Sequence, residues 1–303
     1  MTFVLLMKRL YLFVLLAVVS SILKAQPLAQ RLDSLLSNDP MLRTSEVGIT
    51  VFDLTTGESL FQYQDEKLYR PASTEKVVTS VTALATLGLD YTMDTRLQYT
   101  GKIENDTLKG NLYLVGGFDP EFMDEDLDSL VDVIAQSGIR YIADTLAADV
   151  SMMDSVYWGN GWSWDDVPDS FQPYMSPLML NRGCVDVTVI PAEKDSLPII
   201  ECVPASDYYQ VDNDGVSNNP QAGNLRITRN WLHNGNQIHV TGNVSKKTTR
   251  TLSIYTSKDF FFHTFINRLK EKGIEANTIA FADCPQNDSL RVVSPLFTLQ
   301  RPI

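Results

Sequence analysis

Ser73 and Lys76 form a Ser-x-x-Lys pattern, and their residue types and spacing fit nucleophilic chemistry. A serine hydroxyl is a poor nucleophile near neutral pH and needs a base beside it. A spacing of three residues places both side chains on one face of a helix, one turn apart. The pattern therefore predicts that Lys76 accepts the proton of Ser73 while the Ser73 oxygen attacks a carbonyl carbon.

The residues around this pair predict a β-hairpin followed by a long helix. Alternating residues over 47–64 predict two strands joined by a polar turn. Pro71 suits the start of a helix that runs to Leu87 and ends at Gly88. The positive end of the helix dipole disfavours an ammonium ion, so the first turn favours the neutral amine that a general base requires. As a bare pattern, Ser-x-x-Lys also arises by chance on exposed helices, so the pair needs further support.

The first 25 residues have the pattern of a secretory signal peptide. Lys8 and Arg9 supply positive charge, an apolar run follows over 10–19, and small residues precede the predicted cleavage point after Ala25. We therefore expect a mature protein exported to the periplasm. The alternative, an uncleaved membrane anchor, is disfavoured because the apolar run is short for a bilayer span.

The composition favours a folded, acidic protein. Apolar residues make up 44% of the 303 residues and charged residues 20%, so a sizeable core can be buried. The net charge of −12 argues against binding to nucleic acid or to anionic lipid.

The cysteines and histidines do not indicate a metal or cofactor site. Cys184 and Cys202 could pair in an oxidising compartment, but with Cys284 they can equally be three separate small buried side chains. The three histidines are scattered and have no matching set of carboxylates. We predict no metal site, no Ser-His-Asp triad and no cofactor.

The rest of the chain mixes predicted strands and helices. The patterns predict strands over 95–100, 108–115, 139–150, 185–190, 238–244, 251–255 and 279–281. Amphipathic helices are predicted over 27–39, 124–137 and 259–272. Ser257 is predicted to cap the last of these helices, and Gly273 to end it. Residues 215–223 have the composition of a polar loop.

Five segments of the sequence resemble one family of wall enzymes. Residues 70–79 read RPASTEKVVT and resemble the active-site entry of penicillin-binding proteins and serine β-lactamases. The other four are similar to segments of the D-alanyl-D-alanine carboxypeptidase/endopeptidase family, the low-molecular-mass class C penicillin-binding proteins. They read GNLYLVGGFDP at 110–120, GWSWDD at 161–166, SPLMLNRGCV at 176–185 and VTGNV at 240–244.

This resemblance implies an α/β fold of the penicillin-binding-protein/β-lactamase transpeptidase type, incomplete in this chain and carrying a large inserted, mostly-β α+β region. The implied domains are a signal peptide at 1–25, the first part of the catalytic domain at 26–94, the insertion at 95–285 and a return to the catalytic domain at 286–303. The implied activity is cleavage of D-Ala-D-Ala ends or of D-Ala–diaminopimelate cross-links through an acyl-enzyme on Ser73. The implied partners are peptidoglycan stem peptides and β-lactams as covalent inhibitors, with peripheral association with the cell wall.

Two motifs that the family requires, S-x-N and K-T-G, have no convincing match. Residues 217–219 and 247–249 match them in part, but both are expected to be solvated loops or strand ends, and Thr249 replaces the glycine of K-T-G. We expect that the chain is an N-terminal part of such an enzyme, ends before both motifs, and is weakly active or inactive alone.

Asp119, Trp162 and Trp164 are further candidates. The resemblance suggests that Asp119 can bind the amino group of the substrate's diaminopimelate, whereas capping of its own turn is the alternative. The two tryptophans could stack on a sugar, although packing in the core of the insertion is the favoured interpretation.

Two other functions remain open. The first is a non-catalytic protein that binds peptidoglycan through the inserted region and carries a vestigial Ser-x-x-Lys. The second, a serine β-lactamase, is disfavoured by the four segments that match the insertion.

Overall fold

The structure is a computed structural model that describes residues 27–286 and 292–303. The chain divides into two compact units, the first ending at Thr86 and the second beginning at Leu87. The predicted signal peptide lies outside the described residues. The predicted limits of the catalytic domain and of the insertion stay predictions.

The described part of the first unit contains two helices, a hairpin and most of a third helix. Its elements are α1 (Leu28–Asn38), α2 (Pro40–Thr44), β1 (Ile49–Asp53), β2 (Glu58–Tyr63) and α3 (Glu75–Leu87). The two strands pair antiparallel, which confirms the predicted hairpin. Asp53 Oδ1 accepts a hydrogen bond of 2.8 Å from the Thr55 amide and thereby closes the turn.

The apolar face of α3 is not covered in the structure. Val77, Val78 and Val81 are 66%, 66% and 61% exposed, and no residue of this helix is buried. A helix with such a face normally packs it against another element.

The second unit is built on one large sheet and two small ones. The large sheet has seven strands in the order β15-β3-β6-β7-β5-β4, with β14 paired to β7. Its strands are β3 (Thr92–Thr100), β4 (Lys102–Glu104), β5 (Thr107–Lys109), β6 (Leu112–Val115), β7 (Tyr141–Asp149), β14 (Glu275–Phe281) and β15 (Val293–Pro302). The fold is therefore mixed α/β, as predicted.

The predicted strand over 108–115 is interrupted between β5 and β6. At this point Gly110 lies against Gly101 so closely that a Cβ atom on Gly110 would be 2.0 Å from the Thr100 carbonyl oxygen. The backbone between β3 and β4 approaches that between β5 and β6 so closely here that only glycine fits.

The small sheets contain three strands each. One has the order β10-β12-β11 and the other β13-β8-β9. The strands are β8 (Cys184–Ile190), β9 (Ile199–Val203), β10 (Gln210–Ser217), β11 (Arg226–Arg229), β12 (Gln237–Val244) and β13 (Thr248–Ser253). The loop predicted over 215–223 is thus wrong in its first part, because residues 215–217 complete β10, whose parallel pairing with β12 extends to Ser217.

Helices α4 (Asp124–Gln136) and α5 (Ser257–Glu271) supply much of the core of this unit. The predicted apolar face of α4 is buried, and Asp126 Oδ2 accepts a hydrogen bond of 2.9 Å from the Met123 amide at the start of the helix. The predicted cap of α5 is wrong. Ser257 is the first helical residue, and its hydroxyl donates to the Tyr174 carbonyl.

The three cysteines are all free. In the pairing of β8 with β9, Cys202 lies opposite Val187, so Cys184 is three residues away along its strand. This register does not bring Cys184 and Cys202 together, and the disulfide interpretation is therefore wrong.

Candidate active site

Ser73 lies in a 3-10 turn that leads directly into α3. The turn spans Ala72–Thr74, and the Thr74 amide donates a hydrogen bond of 3.0 Å to the Pro71 carbonyl. The Thr74 hydroxyl donates a second hydrogen bond to the same carbonyl, so a side chain as well as the backbone stabilises the turn. The helix predicted to begin at the serine is confirmed, with its first turn tighter than an α-helical one.

Ala72 has a backbone conformation that is unusual for a residue with a Cβ atom. Its φ angle is +45°, in the left-handed region that favours glycine. An alanine there costs on the order of 1 kcal/mol. Residues with a strained backbone conformation are often found at active sites. The strained residue here directly precedes Ser73, the predicted nucleophile.

Lys76 is the second residue of α3, one turn beyond Ser73, as the spacing predicts. Both side chains are exposed. Within residues 27–286 and 292–303, neither the Ser73 hydroxyl nor the Lys76 amine makes a hydrogen bond. The structure therefore places the predicted nucleophile and base on one helix start without joining them.

The loop before Asp119 is shaped by two close backbone contacts in the second unit. A Cβ atom on Gly117 would lie 2.2 Å from the Asp94 carbonyl oxygen, and one on Gly116 would lie 2.6 Å from the Pro177 carbonyl. Both contacts are to backbone atoms that cannot move aside easily. The two consecutive glycines therefore allow the loop to lie between β3 and residue 177.

Asp119 is buried and already has partners. Its side chain is 1% exposed, and its Oδ1 atom accepts a hydrogen bond of 2.9 Å from the Glu121 amide. Its Oδ2 atom accepts a hydrogen bond of 3.1 Å from Arg301 Nε. The geometry favours the alternative in which Asp119 caps its own turn, and it adds an ion pair with Arg301 that the sequence pattern does not indicate.

Arg301 joins three parts of the second unit. Besides Asp119, its guanidinium donates to Asp126 Oδ2 at 2.8 Å and to the Glu121 carbonyl at 3.2 Å. Although burial lowers the pKa of Arg301, the hydrogen bond to Asp119 and the charges of both aspartates raise it overall. Two carboxylates face one guanidinium, so the cluster keeps one excess negative charge.

The partial matches to S-x-N and K-T-G have structural roles. The Ser217 hydroxyl accepts a hydrogen bond of 3.0 Å from the Ala192 amide, and the side chain is fully buried rather than solvated. Asn219 Oδ1 accepts one of 2.9 Å from the Gln221 amide. The Thr249 hydroxyl pairs with that of Thr188 at 2.7 Å across β13 and β8. These side chains therefore make hydrogen bonds within the second unit itself.

The two tryptophans of residues 161–166 are outside the core. Trp162 is 39% exposed and Trp164 is 65% exposed. The interpretation that they anchor the core of the insertion is therefore wrong. Val167 and Gln172, which follow this segment in the chain, are buried.

The described residues contain no cluster of metal ligands and no helix that could span a membrane. Among the described residues, no group of three or more histidine, cysteine, aspartate or glutamate side chains is placed to hold a metal ion. None of the described helices is long and apolar enough to cross a membrane.

Comparison with known proteins identifies relatives over most of the chain. Residues 28–294 match the D-Ala-D-Ala carboxypeptidase 3 (S13) family. The D-alanyl-D-alanine carboxypeptidase of Actinomadura sp. strain R39 is 27% identical over 256 residues, which are 82% of this chain and 47% of the relative. D-alanyl-D-alanine carboxypeptidase DacB of Haemophilus influenzae is 26% identical over 240 residues, 77% of this chain and 49% of the relative. The chain thus spans about half the length of these curated relatives.

The fold also matches solved structures. Penicillin-binding protein 4 of H. influenzae superposes with a TM-score of 0.69 at 24% identity and covers 88% of this chain and 58% of its own. A structure of the same protein in complex with a β-lactam superposes with a TM-score of 0.61 at 22% identity, covering 88% of this chain and 57% of that one. The fold is therefore that of a penicillin-binding protein. Since the family match extends over residues 28–294, the chain belongs to the D-Ala-D-Ala carboxypeptidase 3 (S13) family.

Proposed function

We propose that the protein is a serine-type D-Ala-D-Ala carboxypeptidase/endopeptidase that acts on peptidoglycan stem peptides through an acyl-enzyme on Ser73. One observation carries the proposal: within a chain of this family, Ser73 and Lys76 lie one turn apart where a strained turn enters α3. Export to the periplasm is part of the proposal and rests on the signal-peptide pattern of residues 1–25.

The reaction follows from the chemistry of the two side chains. The neutral Lys76 amine takes the proton of Ser73, and the serine oxygen attacks the carbonyl carbon of the penultimate D-alanine. The tetrahedral intermediate collapses, and the departing amine of the last D-alanine receives the proton from Lys76. Water, activated in the same way by Lys76, then hydrolyses the ester on Ser73 and regenerates the hydroxyl.

β-Lactams would enter the same reaction at its first step. Attack by Ser73 opens the four-membered ring, but the former amide nitrogen stays attached to the acyl group. Because no leaving group departs, the ester persists and blocks the site. A structural relative, penicillin-binding protein 4 of H. influenzae, has been solved in complex with a β-lactam, and that complex supports the proposal.

Catalysis also needs groups that hold the substrate and stabilise the oxyanion. We infer that S-x-N and K-T-G motifs supply these groups, as the resemblance to the family implies, and that residues 217–219 and 247–249 do not.

Asp119 is proposed to bind the ammonium group of the diaminopimelate side chain. The excess negative charge of the cluster formed by Asp119, Asp126 and Arg301 supports a second cation at this point. Because Arg301 already occupies Asp119 Oδ2, a substrate ammonium would have to share or displace that contact.

The main alternative is a protein that binds peptidoglycan without cleaving it. The lack of a hydrogen bond from the described Ser73 and Lys76 side chains is the observation that favours it. Such a protein would bind muropeptides and would not react with penicillin.

The experiment that separates the two measures D-alanine released from a diaminopimelate-containing pentapeptide by the protein purified at its native length. We expect Ser73→Ala to lower the rate by at least a factor of about 10³ and Lys76→Ala by about 10²–10⁴. Ser80→Ala is the matched control, since Ser80 is an exposed serine on the same helix and should keep full activity. Undiminished D-alanine release by Ser73→Ala would overturn the proposal.

A further inference from the structure

The four tryptophans of the sequence lie in one cluster on the second unit. The rings of Trp164 and Trp231 are stacked with their centroids 5.2 Å apart and an interplanar angle of 29°. Trp158 contacts Trp162 edge-on at 5.4 Å and Tyr174 at 5.1 Å. Contiguous clusters of exposed aromatic rings often mark a site that binds a partner or ligand.

These rings are held from below rather than free to move. Gln172 is buried, and its Nε2 atom donates a hydrogen bond of 2.9 Å to the Ser163 carbonyl between the two exposed tryptophans. Trp162 packs so closely on Gly159 that a Cβ atom there would lie 2.5 Å from the indole nitrogen. The loop is therefore built to present its indoles at a fixed position, and little conformational entropy would be lost when a ligand binds.

Between the rings lies an open cleft of about 320 Å³. The residues that line it include four aromatic side chains and one amide: Trp158, Trp164, Tyr174, Trp231 and Asn234. The Tyr174 hydroxyl donates a hydrogen bond of 3.3 Å to Asn234 Oδ1, which leaves the Asn234 amide hydrogens for another acceptor. The volume is at the lower end of the roughly 300–1,000 Å³ of small-molecule pockets.

We propose that this aromatic cleft binds one pyranose ring of a glycan, with an N-acetylhexosamine of the wall's glycan strand as the intended ligand. A pyranose has a flat C–H face that packs on an indole and an equatorial rim of hydroxyls that needs hydrogen bonds. The cleft offers both, since its lining includes the indoles of Trp164 and Trp231 as well as the amide of Asn234. The shape and chemistry of the cleft are the reason for proposing a sugar. The narrower proposal, that this sugar belongs to the wall glycan, rests on the proposed function.

The charges near the cleft favour a neutral ligand. Asp165 and Asp166 follow Trp164 directly, and the chain as a whole carries a net charge of −12. Phosphate groups of nucleic acids and anionic lipids are repelled by such a surface. An uncharged sugar is not, and its hydroxyls can donate hydrogen bonds to carboxylates.

The test uses tetra-N-acetylchitotetraose, which has the sugar chemistry but no stem peptide. Because the tryptophans all belong to the cluster, intrinsic fluorescence of the whole chain reports binding directly. We expect a saturable change with a Kd in the micromolar to millimolar range. Trp164→Ala should weaken the Kd by tenfold or more, and Trp164→Phe should weaken it less because a ring remains. Phe171→Ala is the matched control, an exposed aromatic of the same loop that does not line the cleft.

Equal Kd values for wild type and Trp164→Ala, with unchanged circular dichroism, would overturn the proposal. No fluorescence change at 10 mM tetrasaccharide would overturn it as well. A response to an apolar dye without a response to the sugar would indicate an apolar partner instead. Ser73→Ala should bind the sugar like wild type, so a failure of the proposed catalytic function would leave this result unaffected.

Discussion

Arg301 Nε donates a hydrogen bond of 3.1 Å to Asp119 Oδ2, and this contact links strand β15 to the Gly-Gly-Phe-Asp-Pro loop. The same guanidinium bonds to Asp126, whose carboxylate also accepts from the Met123 amide at the start of α4. One cation on strand β15 therefore binds both a loop and the helix start that follows it, which lie about 180 residues earlier in the sequence.

Removing this cation should destabilise the second unit. In Arg301→Gln, the buried Asp119 loses its charged partner, and we expect the free energy of unfolding to fall by about 2 kcal/mol. This loss is smaller than for a fully buried ion pair, because the Arg301 side chain is partly exposed and solvent screens its charge. The matched control is Arg182→Gln, which breaks the exposed pair of Arg182 with Glu121 and should cost less than about 1 kcal/mol. Urea denaturation followed by circular dichroism measures both, and equal losses would contradict the structural role of Arg301.

Replacing Ala72 by glycine should relieve the strain before Ser73. At a φ of +45° glycine removes a penalty of about 1–2 kcal/mol, which its greater freedom in the unfolded chain partly offsets. We expect Ala72→Gly to be up to about 1 kcal/mol more stable than wild type. Ala83→Gly, in the interior of α3, should instead lose about 1 kcal/mol. If both glycines destabilise the protein alike, the left-handed conformation of Ala72 is not present in solution.

Substitution of Gly117 should disrupt the loop that carries Asp119. The added Cβ atom of Gly117→Ala would meet the Asp94 carbonyl at 2.2 Å, and either β3 or the loop must move. We expect a loss of about 3 kcal/mol or more in the free energy of unfolding. Gly138→Ala has open space around its Cβ position and an unfavourable φ of +85°, so it should lose only about 1 kcal/mol. Comparable losses in a thermal melt would count against the close contact.

Cys184 should be unreactive in the folded protein at neutral pH. Burial, with a smaller effect of the Asp186 charge, raises the pKa of its thiol to about 12. Because only the thiolate reacts, a raised pKa slows alkylation, and at pH 8 about one thiol in 10⁴ is ionised. Iodoacetamide at pH 8, followed by peptide mapping, should label Cys184 far more slowly than Cys284, and labelling should speed up as the pH approaches 12. Equal labelling of both thiols in the native chain would show that Cys184 is accessible.

Local patterns predicted the helices and most strands well, because apolar periodicity and glycine ends act over a few residues. The helix that carries Lys76 and the apolar face of α4 are examples. The break between β5 and β6 was missed because it depends on Gly101, which approaches Gly110 only after the strands have paired. The resemblance of five segments to one family identified the fold that the comparisons then confirmed.

Side-chain partners across long separations could not be predicted from the sequence. Asp119 and Arg301 are 182 residues apart, and nothing in the local pattern of either indicates the other. The aromatic cluster was foreseen only at Trp162 and Trp164, since Trp158 and Trp231 join them through folding. A signal was present nevertheless, because three of the four tryptophans occur within residues 158–164.

The most direct test of the central claim is the position of a penicillin adduct. The protein, purified at its native length, is incubated with benzylpenicillin, digested and mapped by tandem mass spectrometry. We expect one penicilloyl ester, on Ser73, which is absent from Ser73→Ala and still present in Ser80→Ala. An adduct on any other residue, or none on a folded protein of native length, would contradict the central claim.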